Sequence, residues 1–240
     1  MILKTNPGEW VKNKKVSIEI GHGGGDSGAS HGNILEKDIN LVVGLELNRQ
    51  LRRHGVSVLI NRTADVGFRV ADFLARVRNF EPDVGISVHT NAFNGVAHGF
   101  EIFRNTNAFK ATSNLLCAYI EREVKALGQV LRGVRDSPFM MSSLSCPTAY
   151  CEMGFLDNPD DYSQFSTVEG QKRFAVAYAK GILDYLGIEW ADEKTNPDNA
   201  EGTPNLLYRV ITGSYSKRAN ALEQVKKLKS KGFDGFIIEF

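Results

Sequence analysis

The stretch Lys15-Val16-Ser17-Ile18-Glu19-Ile20-Gly21-His22-Gly23-Gly24-Gly25-Asp26-Ser27-Gly28 decides how the rest of the chain is read. A strand pattern, Lys15 to Ile20, runs straight into a glycine-rich loop. Beyond the loop, Leu35, Ile39, Val43, Leu47 and Leu51 recur at the spacing with which a helix lays one apolar stripe on a core. Asn33 is placed to cap that helix. After His54-Gly55 comes a short β-branched strand, Val56 to Ile60, and then Val70, Phe73, Leu74, Val77 and Phe80 at helical spacing. Val84 to Val88 and Gly99 to Phe103 read as strands, Phe109 to Leu127 as a helix, Pro147 to Glu152 as a strand, and Glu169 to Leu186 as a closing helix. Strands alternating with helices of this length predict an α/β fold, a twisted, mostly parallel sheet with helices on both faces. Ligands in such folds gather at the C-terminal ends of strands. His22, His89 and Glu152 each fall at or just past a predicted strand end.

The 240 residues suffice for one large core and a small satellite. Residues 1–188 form the large domain. Residues 189–205 are polar, rich in Asp, Asn, Glu and Pro and without periodicity, which reads as a linker. Residues 206–240 read strand (Leu206 to Thr212), helix (Lys217 to Ser230), strand (Gly235 to Phe240), a small C-terminal βαβ unit. The net charge is +1, so the field of the whole molecule gives no reason to expect nucleic acid as a partner. The tail holds seven Lys or Arg against three Asp or Glu, a local +4, which leaves 1 − 4 = −3 for the remainder. It is the part suited to an anionic surface. Three cysteines, Cys117, Cys146 and Cys151, make neither a disulfide framework nor a CxxC metal pair and read as buried thiols. No apolar run is long enough to embed the chain in a membrane, and Met1 to Lys15 carries no signal-peptide pattern.

The chemistry-bearing residues are few. A hydrolytic zinc site takes three ligands from His and carboxylate and keeps a fourth position for water, and His22, Glu36 and His89 offer such a set. Glu152, among apolar neighbours, is a candidate general base. Each has a plain structural alternative. A histidine at a strand end is often a hydrogen-bonded core residue, Glu36 has the spacing of a capping-box partner to Asn33, and Glu152 has the option of being an ion-paired core carboxylate. The glycine run lacks both the Gly-Lys-Ser/Thr of a P-loop and the GxGxxG spacing of a dinucleotide site. Glycines around His22 are expected to keep the strand end clear for an extended substrate.

Four segments in order, Ile18-Glu19-Ile20-Gly21-His22-Gly23-Gly24, Leu35-Glu36-Lys37-Asp38-Ile39-Asn40-Leu41, Ile86-Ser87-Val88-His89-Thr90-Asn91-Ala92 and Glu152-Met153-Gly154-Phe155-Leu156-Asp157-Asn158, closely resemble the zinc N-acetylmuramoyl-L-alanine amidases of the amidase 3 family. The resemblance runs from about Lys15 to Tyr185. It implies that His22, Glu36 and His89 bind one Zn²⁺ per chain and that Glu152 is the catalytic glutamate. The reaction implied is hydrolysis of the amide between N-acetylmuramic acid and L-alanine in peptidoglycan. Asn61-Arg62-Thr63 resembles the family's Thr-Arg pattern with Asn in place of Thr, and Glu19-Ile20 stands where Asp-Pro is common. Some relatives carry an extra helix that plugs the zinc site; none is legible between His89 and Glu152, so an open site is expected.

Tyr208 to Ser216 with Lys229 to Asp234 looks like half of a SPOR-type peptidoglycan-binding domain. A βαβ unit this small lacks the core to stand alone, so pairing with a copy of itself, a homodimer through residues 206–240, is expected. Synthesis in the cytoplasm without a signal peptide implies action on the cell wall after release, by holin or mother-cell lysis. Two rival readings remain beside the amidase: a zinc peptidase acting within the stem peptide, and a non-catalytic wall-binding protein.

Overall fold

The computed structural model describes residues 14–137, 144–193 and 217–231. In chain order the elements are β1 (Lys15–Ile20), β2 (Ser30–His31), β3 (Ile34–Leu35), α1 (Glu36–Arg53), β4 (Ser57–Ile60), α2 (Val70–Phe80), β5 (Val84–Asn91), β6 (Phe100–Arg104), α3 (Lys110–Ala126), β7 (Leu131–Asp136), β8 (Thr148–Phe155), α4 (Pro159–Phe165), α5 (Val168–Tyr185) and α6 (Arg218–Ser230). Six strands make one sheet in the order β4-β1-β5-β8-β6-β7. All neighbours are parallel except β6 and β8. The α/β architecture is the one the alternating pattern predicts.

The central strands β1, β5 and β8 are buried along almost their whole length, because each has a strand on both sides and helices or chain above and below. On one face α1 and α3 pack beside α5, with Ile39, Val43, Leu47 and Leu51 of α1 all within the main core. Fully burying each such side chain stabilises the fold by roughly 1.5–3 kcal/mol. Gly44 allows α1 to lie close to the sheet, since a Cβ there would come within 2.4 Å of Ile20. A second, smaller apolar cluster joins Phe73, Leu74 and Val77 of α2 to Leu144 and Cys146. The three cysteines are free and buried, as expected.

The structure corrects several boundaries. Asn33 does not cap α1: it lies exposed in the turn between β2 and β3, and Leu35 is the N-cap residue, with no side-chain cap bond. The capping-box reading of Glu36 falls with it. Strands β5 and β8 run past His89 and Glu152 to Asn91 and Phe155, because the two go on pairing with each other beyond a register shift, Asn91 opposite Phe155. Strand β7 escapes sequence reading because Leu131-Arg132-Gly133-Val134-Arg135-Asp136 is charged and broken by glycine, as suits an edge strand. Helix α4 was legible in principle, since Asn158 caps it and Pro159 opens it.

The chain divides into two units, Met1–Ala191 and Asp192–Phe240. The stretch read as linker from 189 begins inside the first unit. Trp190 stacks near His54 and lies under the Arg53 guanidinium, and Ala191 exchanges hydrogen bonds with both. In the second unit α6 falls where a helix is expected; the two flanking strands of the predicted βαβ unit lie outside the described residues.

Candidate active site

His22 leaves the end of β1 at φ 61°, a left-handed conformation that non-glycine residues rarely adopt and that collects at functional sites. The turn brings its Nε2 to 3.2 Å from Glu36 Oε2 and its Nδ1 to 2.9 Å from Asp26 Oδ2. Glu36, the first residue of α1, is almost fully buried. Its Oε1 lies 3.0 Å from His89 Nδ1 and accepts from Thr90 N and Asn40 Nδ2, also at 3.0 Å; its Oε2 accepts from Ala29 N at 2.8 Å. The β5–β8 register shifts between His89 and Asn91, and this bulge frees the Thr90 N–H for Glu36. His89 is buried, with its other nitrogen, Nε2, 3.1 Å from Glu19 Oε2.

The ligand atoms of His22, Glu36 and His89 all lie within 4.8 Å of one another, and among the described residues no other His, Cys, Asp or Glu group converges this way. Two glycines make the convergence possible. A Cβ at Gly21 would sit 2.2 Å from the His89 ring, and one at Gly28 would sit 2.5 Å from both Glu36 Oε2 and His22 Cδ2. The glycine run therefore seats the ligand side chains, and Gly23 and Gly24 pack against Val66 and Gly67. The sharp turn expected of these glycines is present, with positive φ at Gly23, Gly24 and Gly28.

Arg62 holds the segments that carry His22 and Glu36 together. Its guanidinium, buried, donates to the carbonyls of Ile20 (3.2 Å), Gly21 (3.0 Å) and Lys37 (2.7 Å). Beside it Asn61 pairs with both the N–H and the C=O of Ile20, extending the β1–β4 ladder with a side chain.

Glu152 stands opposite His89 across β5–β8 and opposite Glu101 across β8–β6. It is buried, and its Oε2 has no hydrogen-bond partner. Burial pushes its carboxyl up to about 8; His89 pulls it down, and Glu36 and Glu101 add to the rise. Glu36 behaves oppositely. Burial raises it, but the hydrogen bonds and charges of His22 and His89 prevail and hold it well below the usual carboxylate range. One carboxylate is thus kept charged, and the other titrates close to neutral pH, where a group exchanges its proton readily. Glu101 is tied down by Arg132 (2.9 Å), Arg135 (2.7 Å) and Asn91 (3.0 Å).

Sequence reading singled out all four of these functional candidates, and the structure brings them to one end of the sheet. It missed Asn40, Thr90 and Arg62 as supports, and it noted Glu19 only as a departure from pattern. Of the described residues between β5 and β8, α3 is the one helix, and it packs on α5 through Ile120 and Gly181.

The comparisons agree with this geometry. The Amidase_3 family, N-acetylmuramoyl-L-alanine amidase, matches residues 16–184, and the SPOR domain matches residues 198–239, starting inside the stretch read as linker. A Bacillus subtilis protein of uncharacterised role, YqiI, is 31% identical over 179 residues, 74% of this chain and 87% of its own. The sporulation-specific N-acetylmuramoyl-L-alanine amidase of the same organism is 26% identical over 227 residues, 93% of this chain and 84% of its own. The catalytic domain of the amidase CwlV from Bacillus (Paenibacillus) polymyxa superposes with a TM-score of 0.68 at 27% identity, covering 73% of this chain and 99% of that domain. These matches favour neither a peptidase acting within the stem peptide nor a catalytically silent wall protein. With the fold, the ligand cluster and the family match in agreement, the chain belongs to the N-acetylmuramoyl-L-alanine amidases, hydrolases of the amide that joins muramic acid to L-alanine in peptidoglycan.

Proposed function

We propose that this amidase works with a single Zn²⁺ held by His22 through Nε2, by Glu36 and by His89 through Nδ1, and that Glu152 is its general base. The donor set fits the ion, since two imidazoles and one carboxylate facing one another leave a fourth tetrahedral position for water or substrate. The observation that carries the reading is the buried, unpartnered Oε2 of Glu152 on the strand beside His89. A buried carboxylate oxygen without a partner is costly unless a reacting group supplies one.

When bound, the ion supplies Lewis acidity, polarising the lactyl carbonyl and easing deprotonation of the attacking water. Glu152 takes the water's proton on its carboxylate as the oxygen adds to the carbonyl carbon. It then delivers that proton to the alanine nitrogen as the C–N bond breaks. A carboxyl pushed to about 8 in the metal-free protein is drawn back toward neutral pH by a nearby cation, the range in which one group both accepts and donates. The expected behaviour is loss of turnover on chelation, recovery on adding Zn²⁺, and one zinc per chain by elemental analysis. Full activity in zinc-free protein contradicts the reading.

We also propose that residues 206–240 hold two copies together on peptidoglycan. The supporting observation is that none of α6 is buried: Leu222 of its apolar stripe is 39% exposed and Val225 and Leu228 are half-buried, so the stripe is only partly covered. Two tails joined in this way tether two catalytic domains to one wall surface and raise avidity through effective concentration.

A further inference from the structure

Each histidine of the proposed zinc site has two ring nitrogens, and each nitrogen meets a different carboxylate. His89 turns Nδ1 to Glu36 (3.0 Å) and Nε2 to Glu19 (3.1 Å); His22 turns Nε2 to Glu36 (3.2 Å) and Nδ1 to Asp26 (2.9 Å). Glu36 is shared and central, whereas Glu19 and Asp26 are private to one ring each. We propose that Glu19 and Asp26 are positioning residues that accept the far ring N–H of His89 and of His22. They would lock the first as the Nε2–H tautomer presenting Nδ1 to the metal, and the second as the Nδ1–H tautomer presenting Nε2. The inference rests on the zinc reading above and deepens it.

The physical reason is general. A neutral imidazole binds metal through one nitrogen and carries its proton on the other, so an anionic acceptor at the far side selects the tautomer, fixes the ring plane and raises the basicity of the ligating nitrogen. The two supports differ in kind. Glu19 lies on central strand β1, 4% exposed, with its carboxylate removed from water. Asp26 lies on the loop with its side chain 69% exposed, and its other oxygen accepts from Gly28 N at 3.1 Å, which braces the loop that carries His22. Neither is a rival ligand, since the converging set is His22, Glu36 and His89. Where Asp-Pro is common before Gly-His-Gly-Gly, this chain has Glu19-Ile20, so here the longer glutamate makes the contact to His89 Nε2.

The test uses the full chain and Zn²⁺ alone. Competition with a chromophoric chelator measures zinc affinity for the wild type, Glu19→Gln and Asp26→Asn. Long-range ¹H–¹⁵N NMR of the zinc-loaded proteins reports which ring nitrogen carries the proton. Loss of an outer carboxylate typically weakens metal binding about 10- to 100-fold. The expected loss is toward the upper end for buried Glu19→Gln and toward the lower end for exposed Asp26→Asn, where water partly replaces the acceptor. In the wild type His22 shows Nδ1–H and His89 shows Nε2–H. Thermal unfolding of the metal-free variants checks that each folds, and Asp26→Asn, on the surface, keeps the test open even where Glu19→Gln does not. Wild-type zinc affinity in both variants, or the opposite tautomers in the wild type, overturns the inference and leaves the zinc reading standing. Failure of the wild type to bind zinc at all overturns the zinc reading itself.

Discussion

At the scale of single residues the site is a contrast between two buried glutamates. Glu36 is surrounded by donors and the Oε2 of Glu152 has none, a contrast that suits the proposed ligand in one place and the proposed proton carrier in the other. Glu152→Gln keeps the shape and the neighbouring ligands, and is expected to bind zinc normally while losing roughly 10²-fold or more in turnover, the scale of general acid–base catalysis. Near-normal turnover with zinc bound removes Glu152 from the mechanism. The same substitution has a consequence without metal. With its folded pKa raised to about 8, Glu152 holds its proton in the native state while the unfolded chain has given it up. Its contribution to stability is therefore complete below the unfolded value near 4.5 and is lost as pH rises to about 8. Denaturant unfolding of metal-free protein at pH 5 and pH 8 checks the sign: the wild type loses more stability between them than Glu152→Gln does.

At the scale of elements, the sheet supplies rigidity and the glycine loop supplies fit. The strand–helix alternation was legible because Val16, Ile18 and Ile20 and the stripe from Ile39 to Leu51 carry both periodicities without interruption. Strand β7 was not, because an edge needs no apolar pattern to pair with β6 on one side only. The first turn of α1 was misread for a related reason. Asn33 has cap chemistry, but the β2–β3 hairpin claims it, and the first N–H groups of α1, those of Glu36 and Lys37, go to the carbonyls of Ala29 and Ser27 instead. The candidate ligands were readable from motif order, while the contacts of Glu19 and Asp26 to His89 and His22 were not, since they exist only once the loop has folded beside β1. The glycines give an element-scale prediction. Gly28→Ala places a methyl 2.5 Å from Glu36 Oε2 and His22 Cδ2 at φ +66°, and is expected to weaken zinc binding at least tenfold and cost about 1–3 kcal/mol, the range of left-handed strain. Gly25→Ala meets nothing within 4 Å and leaves zinc binding near that of the wild type. Chelator competition and thermal unfolding on the pair separate steric exclusion from general loop damage.

At the scale of the whole molecule, a unit that matches amidases is followed by a segment that matches the SPOR domain. The helix of that second segment carries basic residues and an apolar stripe with no buried member. Light scattering is expected to report a dimer for the full chain and a monomer for a chain ending near Trp190, whose ring closes the first unit against Arg53 and His54. A monomeric full chain at micromolar concentration contradicts self-pairing of the tail and leaves the catalytic account untouched. That account meets its most direct test in mass spectrometry of the soluble products released from purified peptidoglycan, with zinc-loaded and with chelated protein. Zinc-loaded protein is predicted to release intact stem peptides that begin with a free L-alanine amine and to leave glycan chains uncut, and chelated protein to release nothing. Stems shortened from within, or release unchanged by chelation, would contradict it.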